Sequence, residues 1–485
     1  MKKQNKKMWV LLFLLSLLSG CGVKILSKDE FAVNEEEQVE IIQTSLDEKV
    51  TLNIVDWSDS TKKQREILNQ EFMKDYPNVT INYTTLTQAQ FNETVVSGIR
   101  SGNAPDLFPL PNTMNFSTAI DEGWYLPLNH YLDATFFQEF QSEAFQQNIT
   151  SKSKEIYLVP EAQEIPTTLF FYNKDLLKES GIVLSEEEPL SWEAFIEICR
   201  KVTEKGKGDY FGLVASGAQK NRIDLELRAF SELAGTNLGQ GNQIYLKDAK
   251  TQYDSPAVLA AFDLYRQLFK QGSFHPDSAS LTAPEARKLF GEGKAAFIIQ
   301  GAWSIPTWNE QNPDLDYAVM KMPTPTSTHK SLLSRPFTKG WMGISSASKH
   351  PDIAAKYLEY LYAYDYQKRL VSEGGFVSMR KDLTEAAIEE PHMKAYYRLS
   401  MEQSQPLENP LVKAPNNQLV YSVVQPISPD FGDIATGIFS GDETYSRKLA
   451  EYAIQQQRNL NLAIEMAQKQ LAVDLSDFEY KGDAK

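Results

Sequence analysis

Residues 50–83 read VTLNIVDWSDSTKKQREILNQEFMKDYPNVTINY. Val50 to Val55 alternate apolar and polar side chains, the period of a half-buried strand, and Asp56-Trp57-Ser58-Asp59 follows as a polar turn. Ser60 to Tyr76 then sets Ile67, Leu68, Phe72 and Tyr76 near helical spacing, and Val79 to Tyr83 returns to alternation. A strand, a helix and a second strand in that order predict two parallel strands with a right-handed crossover. The pattern continues downstream. Thr87 to Ser101 predicts a helix stopped by Gly102-Asn103-Ala104-Pro105, and Asp106 to Leu110 a short buried strand. The same alternation resumes at Thr168 to Tyr172 and at Lys294 to Gln300, so the fold class is α/β.

Upstream, Lys2, Lys3, Lys6 and Lys7 precede an apolar run from Met8 to Leu18, the layout of a secretory signal. That run is shorter than the ~20 apolar residues a bilayer span needs. Leu18-Ser19-Gly20-Cys21 resembles the lipobox of bacterial lipoproteins, which implies residues 1–20 as signal peptide and Cys21 as the acylated first residue of the mature chain. An ordinary signal peptide that happens to contain a cysteine is the other reading. Residues 21–48 are rich in acids and carry one aromatic, Phe31, as a solvated tether would. Cys199 is then left without a partner in the apolar pattern WEAFIEIC, where it reads as a small buried hydrophobe.

The chain has 485 residues and a formal charge of -15. Beyond the 20-residue leader it exceeds what one core serves, so two lobes are expected. The acidic balance, with no clustered Lys/Arg surface, argues against a nucleic-acid partner. No catalytic or metal constellation is legible, and no cofactor is expected. His130, His275, His329, His350 and His392 show no HExxH spacing, there is no GxSxG elbow, and Gly291-Glu292-Gly293-Lys294 lacks the remaining marks of a phosphate loop.

Nine stretches in order carry a family resemblance: the first strand, Trp57 and the helix after it, GNAPDLF (102–108), DEGWYLPLNHYL (121–132), FFYNKDLLKESGI (170–182), SWEAFIEICRKV (191–202), GEGKAAFIIQGAW (291–303), KGWMGISSASKHPDIAAKYLEYL (339–361), GGFVSMRKDL (374–383) and FGDIATGIFSGDETYSRKLAEYAIQQQRNLN (431–461). The chain resembles the extracellular sugar-binding proteins of ABC importers, the maltodextrin-binding-like class. The resemblance implies a two-lobed, type II periplasmic-binding-protein-like fold with a cleft between the lobes and hinge crossings. On it, residues 49–160 with 340–395 make the first lobe, and 161–335 with 400–470 the second. It further implies a non-enzymatic monomer, anchored by lipid on the extracytoplasmic face of the cell membrane, that closes on a carbohydrate and docks on the permease subunits. Binding of a polyamine, iron complex or peptide, or presentation of ligand to a membrane sensor, stays open as the alternative.

Open α/β sheets bind ligands beyond the carboxyl ends of their strands. Trp57 and Asp59 follow the first strand at once, and a Trp beside carboxylates suits a sugar ring, with packing on the following helix as the other reading. The resemblance points to Asn112 after the Leu110 strand, with prolines around it that the family pattern does not require. It points also to Thr168 before FFYN, to Trp303 as the aromatic that closes a strand, and to Trp341 where the chain crosses back. Trp341 could instead pack on the crossover. Gly375 would let a loop approach the cleft closely. The segment 384–425 is extra length able to carry specificity.

Overall fold

The computed structural model describes residues 48–59, 61–184, 188–239, 244–335, 338–372 and 376–480. The signal peptide, Cys21, nearly all of the tether and Gly375 lie outside the described residues.

The first lobe is built on β1 (Val50–Asp56), α1 (Lys62–Asp75), β2 (Val79–Thr85), α2 (Gln88–Ser101), β3 (Leu107–Pro109) and α3 (Phe116–Asp121). β1 and β2 pair in parallel over their whole length, Val50 against Val79 to Asp56 against Thr85, as the strand-helix-strand reading requires. β3 joins β1 in parallel at Ile54 and Leu107. Alternation decides where side chains go. Leu52, Ile54 and Leu107 enter one core with Phe72 and Tyr357, whereas Phe108 enters the core on the opposite face with Phe91, Trp124 and Leu158. α1 buries a partly polar face: Gln64, Arg65 and Asn69 go in beside Leu68 and Phe72, while Ile67 stays half-buried.

The second lobe contains β4 (Leu169–Asn173), α4 (Trp192–Gly206), β5 (Phe211–Val214), α5 (Lys220–Leu233), α6 (Pro256–Lys270), α7 (Ala283–Gly291), β6 (Ala295–Gln300), α8 (Ser304–Gln311) and β7 (Tyr317–Met320). Its sheet order is β5-β6-β4-β7, with β5 and β6 parallel and β4 antiparallel to both of its neighbours. β4 and β6 are buried at every position, which fits their continuous apolar runs LFFYN and AAFIIQ. Phe170, Phe195, Phe230, Tyr265 and Phe297 form the centre of this core.

The chain leaves the first lobe between Val159, which bridges Met342, and Ile165, which sits in the second core. It returns in β8 (Met342–Ile344), antiparallel to β3, and continues through α9 (Pro351–Leu361) and α10 (Tyr364–Ser372). It then crosses again. The expected first-lobe segment 340–395 runs into α11 (Pro391–Glu402), whose Met393, Tyr396 and Leu399 pack in the second core. Tyr396 is the physical reason: its Oη donates to the carbonyls of Pro166 (2.7 Å) and Gln300 (3.1 Å), and its ring stacks on Phe171. After α12 (Gln418–Val423) and α13 (Phe431–Thr436), the long α14 (Tyr445–Gln470) packs its first turns on the second core and its last turns on a small cluster with Leu246, Val420 and Phe478.

Candidate ligand-binding cleft

At the carboxyl end of β1, Asp56 is fully buried and accepts from Tyr83 Oη (3.1 Å to each oxygen) and from the Ser58 amide (3.1 Å). Burial pushes its carboxyl above the usual range, with nearby Arg65 pulling the other way. The polar turn that follows places Trp57 half-buried with its ring edge-on to two neighbours, Phe91 of α2 (4.5 Å, 66°) and Trp341 (4.5 Å, 73°). Trp57 therefore packs on α2 rather than on the helix that follows it. Trp341 sits on the returning crossing, fixed by its amide on the Val159 carbonyl (3.0 Å) and by the Leu110 amide on its own carbonyl (3.3 Å). Its indole Nε1 is buried with no acceptor among the described residues.

Below these rings the outgoing crossing carries charge. Arg65, buried on α1, places Nη2 3.4 Å from Glu161 Oε1. Burial pushes Glu161 up to about 7 against the pull of Arg65. Burial also raises Glu164, with Lys339 of the other crossing opposing.

On the second lobe, Arg222 at the start of α5 donates from Nη2 to the Thr167 carbonyl (3.0 Å), and its guanidinium lies 5.6 Å over the Trp303 ring. Thr168 is buried next to that carbonyl. Gly301 presses on Trp303 so closely that a Cβ there would lie 2.3 Å from the ring, which is why glycine precedes this tryptophan. Arg222 shares its surroundings with Glu226, which accepts from Tyr265 Oη (2.6 Å) and is pushed up to about 7 by burial. Burial in turn lowers Arg222, and the field of Arg287 adds to that. Gln300 at the end of β6 and Ser304 at the start of α8 are fully buried, with side-chain polar atoms that find no partner among the described residues.

The lobes meet through polar pairs. Arg287 Nη2 of α7 donates to Asp59 Oδ2 at 2.8 Å, and Lys63 pairs with Glu310 on the same side. Asn221 Nδ2 donates to Gln88 Oε1 (3.2 Å) along α2. Gln418 Nε2 of α12 donates to Asn115 Oδ1 (2.6 Å), and Asn148 Nδ2 to the Leu411 carbonyl (3.3 Å). Asn112 is exposed and accepts from Asn92 Nδ2 (2.6 Å), one helical turn from Gln88. The structure thus joins Trp57 to Trp341 directly, ties Asp59 to the second lobe, sets Trp303 under Arg222, and leaves Asn112 at the rim. Arg65, Arg222, Arg287, Glu226 and Gln300 were not singled out from sequence. Arg65 and Gln300 fall within elements read as amphipathic helix and buried strand, and only their burial marks them. Among the described residues no three His, Cys, Asp or Glu side chains gather as a metal site.

Two α/β lobes with separate cores, three crossings, and a cleft lined by residues just past strand ends define a type II periplasmic-binding-protein fold. A solved structure bears this out: the GacH receptor of Streptomyces glaucescens, determined unliganded and with acarbose, superposes with a TM-score of 0.65 at 18% identity, covering 85% of this chain and 99% of that one. The chain belongs to the bacterial extracellular solute-binding protein family, whose model matches residues 57–368. It is 22% identical over 341 residues to a binding protein of Brucella abortus, across 69% of this chain and 77% of that protein. It is 26% identical over 265 residues to the galactooligosaccharide-binding protein of Bacillus subtilis, across 54% and 57%. No helix of the described residues is long and apolar enough to cross a membrane.

Proposed function

We propose that this protein is the substrate-binding component of an ABC importer, capturing a sugar or oligosaccharide between its lobes and delivering it to the membrane permease. Lipid on Cys21 would hold it at the outer face of the membrane. The observation that carries the reading is the aromatic cleft: Trp57 and Trp341 packed edge to edge on the first lobe, and Trp303 on the second, each among hydrogen-bonding side chains. Such rings meet the C–H faces of a sugar while neighbouring amides and charged groups meet its hydroxyls. Relatives named for galactooligosaccharide binding and for an acarbose complex support the same ligand class. Mechanism then needs no chemistry on the ligand. Contacts made only when both lobes touch the sugar favour the closed form, and that differential affinity drives closure.

A thermal-shift screen of the full chain against mono- and oligosaccharides, with polyamines, peptides and iron chelates beside them, tests this. A ligand at ~100 times its Kd should stabilise the fold by ~2.7 kcal/mol. Stabilisation by one saccharide series, lost in Trp303→Ala, is the expected result. Stabilisation by a non-saccharide alone would overturn the ligand class.

A further inference from the structure

We propose that the captured saccharide carries a carboxylate, as a uronic-acid sugar does, that Arg287 receives it in the place Asp59 holds in this structure, and that Arg222 on the same lobe adds positive charge. The inference rests on the sugar reading above and narrows its ligand. Three observations carry it.

First, the second lobe buries two guanidiniums, Arg287 6% and Arg222 5% exposed, and the field of Arg287 reaches Arg222. Like charges in low dielectric repel, so keeping them together calls for an anion. Second, the anions at hand do not fully belong to the site. The acid paired with Arg287 is Asp59, which is on the other lobe and has a side chain 57% exposed. Glu226, facing Arg222, is held up to about 7 by burial, so near neutral pH it is about half protonated and offsets Arg222 only in part. Third, the two guanidiniums themselves call for acceptors. A guanidinium only donates, and Nε of both arginines is buried with no acceptor among the described residues. A neutral hydroxyl brings a proton that must itself be placed, whereas a carboxylate brings acceptors alone. The 2.8 Å contact of Asp59 shows that a carboxylate reaches Arg287 in good geometry.

The test uses the full chain in thermal shift and isothermal calorimetry with galacturonate, glucuronate, di- and trigalacturonate, against galactose, lactose, raffinose and maltotriose, with spermidine and a tripeptide as non-carbohydrate probes. At least one uronate saccharide is expected to bind more tightly than its neutral counterpart, and Arg287→Gln should weaken it by about tenfold to a hundredfold, the loss of a charge-assisted pair. Arg222→Gln should also weaken it, because that positive charge is lost. Asp59→Asn is the arm that folding defects cannot mimic. It frees Arg287, so uronate affinity should hold or rise, whereas a neutral sugar using Asp59 as acceptor would bind less well. Binding of neutral saccharides alone, no response to any uronate, or a fall in uronate affinity in Asp59→Asn overturns the inference and leaves the sugar reading to its own test. A response to the non-carbohydrate probes alone overturns both.

Discussion

Replacing Glu226 by Gln should flatten the pH dependence of stability, and the size of the effect follows from the site. Glu226 is 2% exposed, and its Oε2 takes the Tyr265 hydroxyl at 2.6 Å. Burial pushes its carboxyl up to about 7, with Arg222 and the Tyr265 hydrogen bond opposing. An unfolded glutamate titrates near ~4.3. Between those values the folded chain holds a proton that the unfolded chain has released, so stability falls as pH rises through this window. Below it the group contributes nothing unfavourable, and above pH ~7 the full loss is present. A gap of roughly 2.5 pK units at ~1.36 kcal/mol each gives about 3 kcal/mol. Gln keeps an acceptor oxygen for Tyr265 and cannot ionise. At pH 5, already inside that window because the unfolded chain has released this proton, the Gln variant should lead by only about 1 kcal/mol. At pH 8 the Gln variant should be the more stable by about 3 kcal/mol. Glu161 and Glu232, also pushed up to about 7 by burial, titrate in both proteins and cancel from the comparison. Urea denaturation followed by tryptophan fluorescence at half-unit steps from pH 5 to 8 measures the difference. Parallel profiles for the two proteins, or a variant that loses ground as pH rises, would refute the assigned environment of Glu226.

Two further outcomes follow from buried geometry. Cys199 is fully buried and burial raises its thiol well above the ordinary range, so the native chain should resist a thiol reagent such as DTNB and react with one equivalent only after denaturation, provided that Cys21 is lipidated; rapid labelling in native buffer would place this thiol at the surface. Gly343 in β8 has Tyr125 Cδ1, Leu158 Cδ2 and the Tyr157 carbonyl 2.6–2.8 Å from where a Cβ would sit, so Gly343→Ala should lower the urea midpoint by the ~1–3 kcal/mol typical of overpacking, and an unchanged midpoint would show that β8 is free to shift.

The fold was legible where periodicity is strong. The alternation of Val50 to Val55 and of Val79 to Tyr83 gave two strands in their observed pairing, and the glycine stop after Ser101 stands where Gly102 adopts its left-handed cap. The course of the chain after Gly340 was harder, since α11 has a helical pattern but nothing local says which core it joins; Tyr396 reaching the Pro166 and Gln300 carbonyls decides that at long range. The aromatic residues of the cleft announced themselves by following strands. The arginines did not. Arg65 lies in a helix face that reads as an ordinary charged stretch, and its surroundings include Glu161 and the tyrosines of α9 and α10, all distant in sequence. Arg222 and Arg287 likewise become site residues only because α5 and α7 bring them to the Trp303 edge and to Asp59.

The contrast between what binds each lobe together and what binds the lobes to each other bears on how closure can respond to a ligand. Within a lobe the core contacts are largely apolar and buried, as in the Phe170, Phe230 and Phe297 centre, and close packing of that kind resists deformation. Across the cleft the contacts are polar and partly exposed: Asp59 with Arg287, Lys63 with Glu310, Gln88 with Asn221, Asn115 with Gln418. Exposed ion pairs contribute ~0–1 kcal/mol each, and single hydrogen bonds about as much. A handful of such pairs offsets a few kcal/mol of lost freedom and no more, which leaves the open and closed forms within reach of each other. A saccharide that touches the rings of both lobes only in the closed form then supplies a larger differential than the cross-cleft pairs do. On this argument, Lys63→Ala, which removes an exposed pair with Glu310, should change ligand affinity by less than about fivefold, because an exposed pair is worth at most ~1 kcal/mol. A loss of a hundredfold would mean that the rim pairs, and not the cleft floor, hold the closed form.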